Sequence, residues 1–277
     1  MLGRDRIQYK TTDQIRLMRK AGLVVADALD AVRAALRPGV TTKELDAVAH
    51  DVILSAGAVP SFLGYGHPPF PAVTCISVNE EIVHGIPGQR VLAEGDVVSV
   101  DCGAILAGWH GDSAFTAIVP RADGAVDAHD ADLVAVTESS MWHGIAAIRA
   151  GERLGEIGGA VEDHVAERYG LVEDYGGHGI GTEMHQAPHV LNYRTRDKGP
   201  RMRPGLCVAI EPMLTAGDPA SRELADGWTV ATRDGGRAAH WEHSVALHDG
   251  GIWVLTARDG GERALSALGL RAAPLAD

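Results

Sequence analysis

The chain has 277 residues, of which 45% are hydrophobic, so it has enough apolar material to bury the core of one large or two small domains. Its formal net charge of -12 at pH 7 opposes nonspecific binding to nucleic acid or to an anionic membrane. The opening MLGRDRIQYK lacks the apolar segment of a signal peptide, and no later stretch reaches the roughly 18 apolar residues of a membrane span. Composition therefore favours a globular, cytoplasmic protein.

Helix-start signals predict two helices that together fill residues 12–56. Thr11 with Gln14, and Thr41 with Glu44, have the spacing of a capping box. In this motif the hydroxyl of the first residue and the side chain of the second each accept a hydrogen bond from the other residue's backbone N–H. The chain therefore begins with a helix pair.

A second helix pair, near 130–150 and 154–169, repeats the first. The sequence AALRPG at 34–39 stands where the first helix of one pair ends, and AAIRAG at 146–151 stands at the same place in the other. This similarity indicates an internal duplication of the chain.

Two strand motifs recur in the same order as the helix pairs. GDVVSVD, which ends at Asp101, matches GLCVAIE, which ends at Glu211: each is a glycine, a run of strand-forming residues and a carboxylate. The segments WHGDSA and HWEHSVA are also similar, and in this comparison Asp112 corresponds to Glu242. Each half of the chain therefore contributes a pair of acids.

Four carboxylates would converge if the two halves pack about a pseudo-twofold axis. Burying them without cations would cost more free energy than folding supplies. Carboxylate oxygens suit hard or borderline divalent ions, and shared carboxylates favour a two-metal centre. The alternative is that Asp101 and Asp112 only cap turns beside Gly103 and Gly111, which explains each acid but not the matched set.

A nitrogen ligand is expected to accompany the acids. The stretch YGGHGIGTEMH at 175–185 offers His178 and His185, and its glycines let the backbone approach a crowded centre. The other histidines, His240 among them, are interpreted as ordinary hydrogen-bonded residues.

These motifs resemble the type I methionine aminopeptidases, a family of metal enzymes with a duplicated "pita-bread" fold. The resemblance runs from the first helix to about residue 257. It rests on five ordered motifs: NEEIVHGIP at 79–87, SVDCG with WHGD, GGHGIGTEMH, AIEPM at 209–213 and WEHSV at 241–245.

The resemblance implies an α+β fold in which two pseudo-twofold-related α/β halves share a central curved antiparallel sheet covered by helices. The implied organisation is a short N-terminal extension over 1–10, a single catalytic domain over 11–257 with halves of about 11–125 and 126–257, and a C-terminal tail over 258–277.

The resemblance also implies a metal site with five ligands. By family pattern they are Asp101, Asp112, His178, Glu211 and Glu242. Asp112 and Glu242 would bridge two divalent ions, Asp101 would bind one of them, and His178 and Glu211 would bind the other. Such ions, which could be cobalt, manganese, iron or zinc, lower the pKa of a shared water and polarise the scissile carbonyl.

The remaining family positions concern the substrate. Glu211 is also the implied proton shuttle, and His84 and His185 would contact the peptide and stabilise the tetrahedral intermediate. The pocket for the methionine side chain maps onto Phe62, Tyr65, Cys75, Met184 and Trp228. Its rim over 66–74 is longer than usual in the family and lacks the second tyrosine, whose place Phe70 could take.

The implied function is hydrolytic removal of the initiator methionine from nascent proteins whose second residue is small. The partner is then the N-terminal methionine of a nascent polypeptide, with a transient ribosome contact through the basic stretch 194–203, and with neither a membrane nor a specific nucleic acid. We expect a cytoplasmic monomer.

Two alternatives remain open from the sequence. One is an Xaa-Pro-type aminopeptidase of the same fold, although such relatives usually carry an additional N-terminal domain for which about ten residues before the first helix leave no room. The other is a noncatalytic relative that binds ribosomes or nucleic acid, which the loss of a metal ligand would reveal. All five ligand positions are filled here.

Overall fold

The computed structural model describes residues 6–276. Residues 1–5 of the predicted extension and residue 277 of the predicted tail lie outside the described residues. The helices are α1 Thr12–Ala35, α2 Thr42–Ser55, α3 Ala128–Ala146, α4 Gly155–Val165 and α5 Glu262–Ala267. The strands are β1 Val59–Pro60, β2 Thr74–Val78, β3 Glu81–Val83, β4 Val97–Leu106, β5 Trp109–Ile118, β6 Gly170–Leu171, β7 Gly177–Gly179, β8 Gln186–Val190, β9 Leu206–Ile210, β10 Met213–Thr215, β11 Ser221–Glu223, β12 Val230–Thr232, β13 Ala238–His240, β14 Glu242–His248 and β15 Gly251–Val254.

Both predicted helix pairs are present, and both capping boxes form. The backbone N–H of Gln14 donates to the Thr11 hydroxyl, and the Gln14 side chain accepts from the Thr11 N–H at 2.9 Å. Thr41 and Glu44 repeat this arrangement at the start of α2. These reciprocal bonds satisfy backbone donors that the first turn of a helix leaves free.

A nine-stranded antiparallel sheet forms the centre of the molecule, in the order β1-β4-β5-β14-β9-β7-β8, with β2 paired to β4 and β15 paired to β14. Each helix pair packs on its own part of this sheet. One apolar cluster joins α1 and α2 to β4 and β5, with Val25, Leu45, Val100 and Phe115 among its members. A second joins α3 and α4 to β9 and β14, with Met141, Ile157, Val208 and Val245 among its members.

The two aligned strand motifs also share a backbone feature. Gly95 before β4 and Gly205 before β9 both have positive φ, +81° and +92°, which few residues other than glycine adopt. The structure thus places matching turns before matching strands. The proposed duplication and the domain boundaries stay predictions.

The end of the chain packs against the second cluster. Leu265 of α5 is fully buried in it, and the Ala273 N–H donates to the Ile252 carbonyl at 2.7 Å. As far as residue 276, the predicted tail is therefore part of the same packed unit, because it covers apolar side chains of β14 and β15.

None of the described helices combines the length and the apolar character that a membrane crossing requires.

Helix α1 touches the sheet backbone directly at two glycines. A Cβ on Gly22 would lie 2.4 Å from the Leu255 carbonyl oxygen, and a Cβ on Gly111 of β5 would lie 2.7 Å from the Gly22 nitrogen. Backbone atoms cannot move aside as a flexible side chain can. Glycine at both positions therefore sets the distance between α1 and the sheet.

Gly22→Ala tests this close approach. We expect the substitution to lower the free energy of unfolding by about 3 kcal/mol, because the methyl group forces α1 away from the sheet. Urea unfolding of the variant and of Lys20→Ala, an exposed position of the same helix, measures the effect. Equal stability of the two variants would contradict the close-packing interpretation.

Candidate metal centre

Strand register places the predicted ligands on one face of the sheet. Asp101 of β4 and Glu242 of β14 both pair with Ala114 of β5, and Asp112 lies two residues before Ala114. Cross-strand partners, and residues two apart in one strand, point to the same side. These three carboxylates therefore share one face although they lie on three strands.

The other two predicted ligands follow from the neighbouring strands. His243 pairs with Ile210, so Glu242 lies beside Glu211, the residue that follows β9. Gly179 pairs with Val208, which sets His178 beside Ala209, two residues from Glu211. Five adjacent strands thus direct one ligand each towards a common point.

The side chains meet at that point. Ligand atoms of Asp112, His178 and Glu242 all lie within 4.8 Å of one another. Glu211 joins this group, since its Oε1 is 3.4 Å from His178 Nε2. The carboxyl group of Asp101 lies near that of Asp112, since each of the two residues affects the pKa of the other. The structure thus brings all five residues together.

His178 presents a free nitrogen to the centre. Its Nδ1 lies 3.1 Å from the Gly179 carbonyl oxygen, which only accepts hydrogen bonds, so Nδ1 carries the ring proton and Nε2 keeps its lone pair. Burial lowers the pKa of His178 to about 3, so the ring is neutral near pH 7. A neutral imidazole with a lone pair turned towards carboxylates suits a metal ion.

The carboxyl groups are in an environment that disfavours their charge. Burial raises the pKa of Asp101 to about 7. Burial, followed by the neighbouring negative charges, raises the pKa values of Asp112, Glu211 and Glu242 well above their ordinary range. Only a compensating cation allows so many carboxylates to be ionised together at neutral pH.

The hydrogen-bond inventory leads to the same conclusion. Among the described residues, Asp101 Oδ1, Asp112 Oδ1 and Glu242 Oε1 are buried and have no hydrogen-bond partner. Buried polar atoms are normally paired, because an unpaired one loses its hydration without replacement. These residues therefore fit divalent metal binding, with the unpaired oxygens and His178 Nε2 as its donors.

His240 is a site residue that the sequence interpretation missed. It is buried, and its Nε2 lies 3.7 Å from Glu211 Oε2, on the other side of that carboxylate from His178. Burial lowers its pKa to about 3, which keeps the ring neutral. Asn192 also supports Glu211, donating from Nδ2 to its carbonyl oxygen at 3.1 Å. The sequence offered no signal beyond the closeness of His240 to Glu242.

The two predicted substrate histidines flank the centre. His185 packs on His178 with ring centroids 4.3 Å apart, and its Nδ1 lies 2.7 Å from the Tyr65 hydroxyl. His84 has a positive φ of 58° and makes an edge contact with Trp228, with ring centroids 6.0 Å apart. Burial lowers the pKa of His84 to about 4 and also lowers that of His185.

An apolar cluster beside the carboxylates contains four of the five predicted pocket residues. Its members are Phe62, Phe70, Ala72, Cys75 and Met184, with Ile86 and Trp228 packed against them. Tyr65 differs from the other four because it is 41% exposed and contacts His185. Phe70, left open by the sequence, packs edge-on against Trp228 with ring centroids 5.2 Å apart.

The rim of this pocket, residues 66–74, contacts Trp228 at two points. The indole Nε1 donates to the Pro68 carbonyl at 3.0 Å, and a Cβ on Gly66 would lie 2.5 Å from the indole ring. The pocket and the carboxylates line one continuous cavity of about 1460 Å³.

Comparison with known proteins agrees with this geometry. Residues 16–249 match the family model described as metallopeptidase family M24. Methionine aminopeptidase 1 of Bacillus subtilis is 44% identical over 248 residues, which cover 89% of this chain and 98% of the relative. Methionine aminopeptidase 1 of Mycobacterium tuberculosis is 45% identical over 262 residues, which cover 92% of this chain and 96% of the relative. The chain therefore belongs to metallopeptidase family M24. Its resemblance to the type I methionine aminopeptidases is confirmed.

Solved structures agree with the fold. Methionine aminopeptidase from Rickettsia prowazekii superposes with a TM-score of 0.86 at 36% identity, covering 91% of this chain and all of that one. Methionine aminopeptidase from Thermotoga maritima superposes with a TM-score of 0.85 at 39% identity, covering 91% of this chain and 99% of that one. A prolidase from Pyrococcus furiosus superposes with a TM-score of 0.71 at 21% identity, covering 90% of this chain and 65% of the prolidase. At this identity the similarity shows the fold alone. The predicted pita-bread α+β fold is confirmed.

The raised pKa of Asp101 predicts a pH-dependent stability in the metal-free protein. Because the folded-state pKa of about 7 exceeds the ordinary value of 3.8, this group's contribution to the free energy of unfolding is fully present below 3.8 and is lost as the pH rises through about 7. In the Asp101→Asn variant the side chain is neutral at every pH, so the variant does not show this loss of stability.

Urea unfolding of both metal-free proteins at about pH 5 and about pH 8 measures the difference. We expect the wild type to lose more stability than the variant over this interval. Parallel pH profiles would show that burial does not raise the pKa of Asp101.

Proposed function

We propose that this protein is a metalloaminopeptidase that removes the initiator methionine from nascent proteins when the second residue is small. The observation that carries the proposal is the position of the apolar pocket, which opens directly beside the buried carboxylate cluster in one cavity. Relatives that are 44% and 45% identical and are named methionine aminopeptidase support the same activity.

We further propose two divalent ions as the cofactors. Asp112 and Glu242 would bridge them, Asp101 would complete one site, and His178 with Glu211 the other. Bound ions would supply Lewis acidity and an activated water for hydrolysis. Oxygen and imidazole donors are compatible with manganese, iron, cobalt or zinc, so metal availability decides which ion is bound as much as the site does.

Glu211 is suited to hold and move a proton. Its carboxylate lies between His178 and His240, both neutral, and burial raises its pKa. A carboxyl group with a raised pKa can take a proton from the attacking water and pass it to the leaving amine. This chemistry needs no covalent intermediate, so no nucleophilic side chain is required.

His84 and His185 would act as neutral hydrogen-bond donors. When the Tyr65 hydroxyl donates to His185 Nδ1, the ring proton is on Nε2 and can be donated to a substrate oxygen. His84 lines the same cavity and packs against Trp228. Donors placed where negative charge develops on the scissile carbonyl stabilise the transition state.

Specificity for methionine is expected from the pocket's shape and chemistry. Phe62, Cys75, Met184 and Trp228 offer apolar and sulfur contacts to an unbranched thioether and no partner for a charged side chain. A charged group would enter without compensation, and a branched one would meet packed walls.

The two alternative functions are not favoured. The match covers only 61–65% of the solved prolidases and Xaa-Pro enzymes, at identities of 18–21%. A noncatalytic binding role would leave the clustered ligands without a purpose, whereas all five are brought together here.

The cellular setting forms part of the proposal. We place the activity in the cytoplasm, where nascent chains emerge, and we expect a monomer. The proposed ribosome contact through 194–203 would rely on Arg196, Arg201 and Arg203, which are exposed. Two other basic residues of that stretch are already paired, Arg194 with Glu162 and Asp163, and Lys198 with Glu156.

Release of methionine from Met-Ala-Ser and Met-Leu-Ser tests the activity. Protein stripped by a chelator and reloaded separately with manganese, iron, cobalt or zinc is assayed on both peptides. We expect metal-dependent release from the alanine peptide only, because a narrow site beyond the scissile bond excludes leucine. If a folded protein releases methionine from neither peptide with any metal, the proposed activity is wrong.

Asp112→Asn tests the bridging role. Replacing a shared ligand is expected to abolish turnover and the second ion together, since an amide binds divalent ions less well than a carboxylate. Metal content and methionine release are measured on the same sample, with Asp123→Asn, an exposed position, as the matched control. Full activity in the metal-loaded Asp112→Asn variant would refute the bridging assignment.

A further inference from the structure

The loop that carries His185 has little internal support. It joins β7 to β8 and turns at Gly181, whose N–H donates to the Glu183 carbonyl at 3.0 Å. On its inner side, the Gly181 carbonyl accepts from the His110 N–H at 2.9 Å. The position of the His185 ring therefore depends on what holds the two ends of this loop as well as on its contacts with Tyr65 and His178.

The segment Ile7–Lys10 lies directly against the loop. A Cβ on Gly181 would lie 2.3 Å from Gln8 Oε1 and 2.7 Å from Lys10 Cε. The segment itself is fixed, because the Lys10 N–H donates to the Gly205 carbonyl at 2.7 Å just before α1 begins. Ile7 and Gln8 also line the cavity that contains the carboxylates.

Four side chains link the segment to both ends of the loop. Gln8 Nε2 donates to the Thr182 hydroxyl at 3.2 Å, and Gln186 Nε2 donates to the same hydroxyl at 3.4 Å. Lys10 Nζ donates to Gln186 Oε1 at 3.4 Å and so completes the chain of contacts. Thr182 and Gln186 enclose Met184 and His185, so these bonds hold the segment of loop that reaches the substrate.

Lys10 is unusual in its burial. Only 5% of its surface is exposed, and among residues 6–276 its ammonium group forms no ion pair and donates only to Gln186. A buried ammonium without a carboxylate partner destabilises a fold. Its presence therefore points to a role other than stability.

We propose that Gln8 and Lys10 are positioning residues that hold the His185 loop against the metal centre. The inference rests on the proposed methionine-releasing function. It assigns to the segment before α1 a role in the reaction. An orienting contact of this kind acts on the transition state, in which His185 must lie within a few tenths of an ångström of its productive place.

Lys10→Met is the main test, because it removes the ammonium and keeps an unbranched chain of similar length. We expect kcat for Met-Ala-Ser to fall roughly tenfold, with metal content unchanged and the melting temperature equal or higher. Gln8→Ala, which removes the contact with Thr182 at the other end of the loop, is a milder change and is also expected to lower kcat. Lys20→Met, exposed on α1, is the matched control and should behave as wild type.

The same substitution in a His185→Ala background separates positioning from a structural role. If Lys10 acts through His185, Lys10→Met causes no further loss in that background. An equal loss in both backgrounds, or unchanged kcat in Lys10→Met and Gln8→Ala, would overturn the inference while wild-type activity stands. An inactive wild type would instead show that the proposed function is wrong, and the inference with it.

Discussion

The concentration of buried carboxylates at one point is the constraint on which the rest of this structure depends. Asp112, Glu211 and Glu242 lie within the protein beside the half-buried Asp101, and oxygens of Asp101, Asp112 and Glu242 have no hydrogen-bond partner among the described residues. Ionised together and alone they would repel one another strongly in a medium of low dielectric constant. At neutral pH the charge of such a site is offset either by bound protons or by bound cations, so its protonation and its metal binding are linked.

The antiparallel sheet explains how the chain tolerates such a site. Each ligand is set by the register of a different strand, and a slip by one residue would turn it to the opposite face. Long strands β4 and β5, packed against two helices by the apolar cluster behind them, resist that slip. The glycine contact between α1 and β5 fixes the depth of the sheet behind Asp112. Rigid support of this type keeps ligands in place before any ion binds.

The sequence predicted the elements of this arrangement better than its details. Capping boxes located α1 and α2, and the repeated strand motifs located the acids, because these signals are local. His240 escaped prediction, since its approach to Glu211 depends on how β13 and β14 pack. Tyr65 was assigned to the pocket, yet its hydroxyl reaches His185 across the cavity. Contacts between distant segments, such as Lys10 with Gln186, follow from the fold and have no signature in the chain.

Titration of the metal-free protein with manganese, followed by calorimetry in two buffers of different ionisation enthalpy, tests the central claim most directly. The raised pKa values mean that the empty cluster holds protons near neutral pH. Ions that replace them must release those protons. The account predicts two manganese ions bound per chain with release of protons to the buffer. Absence of binding, or binding with no proton release, would contradict it.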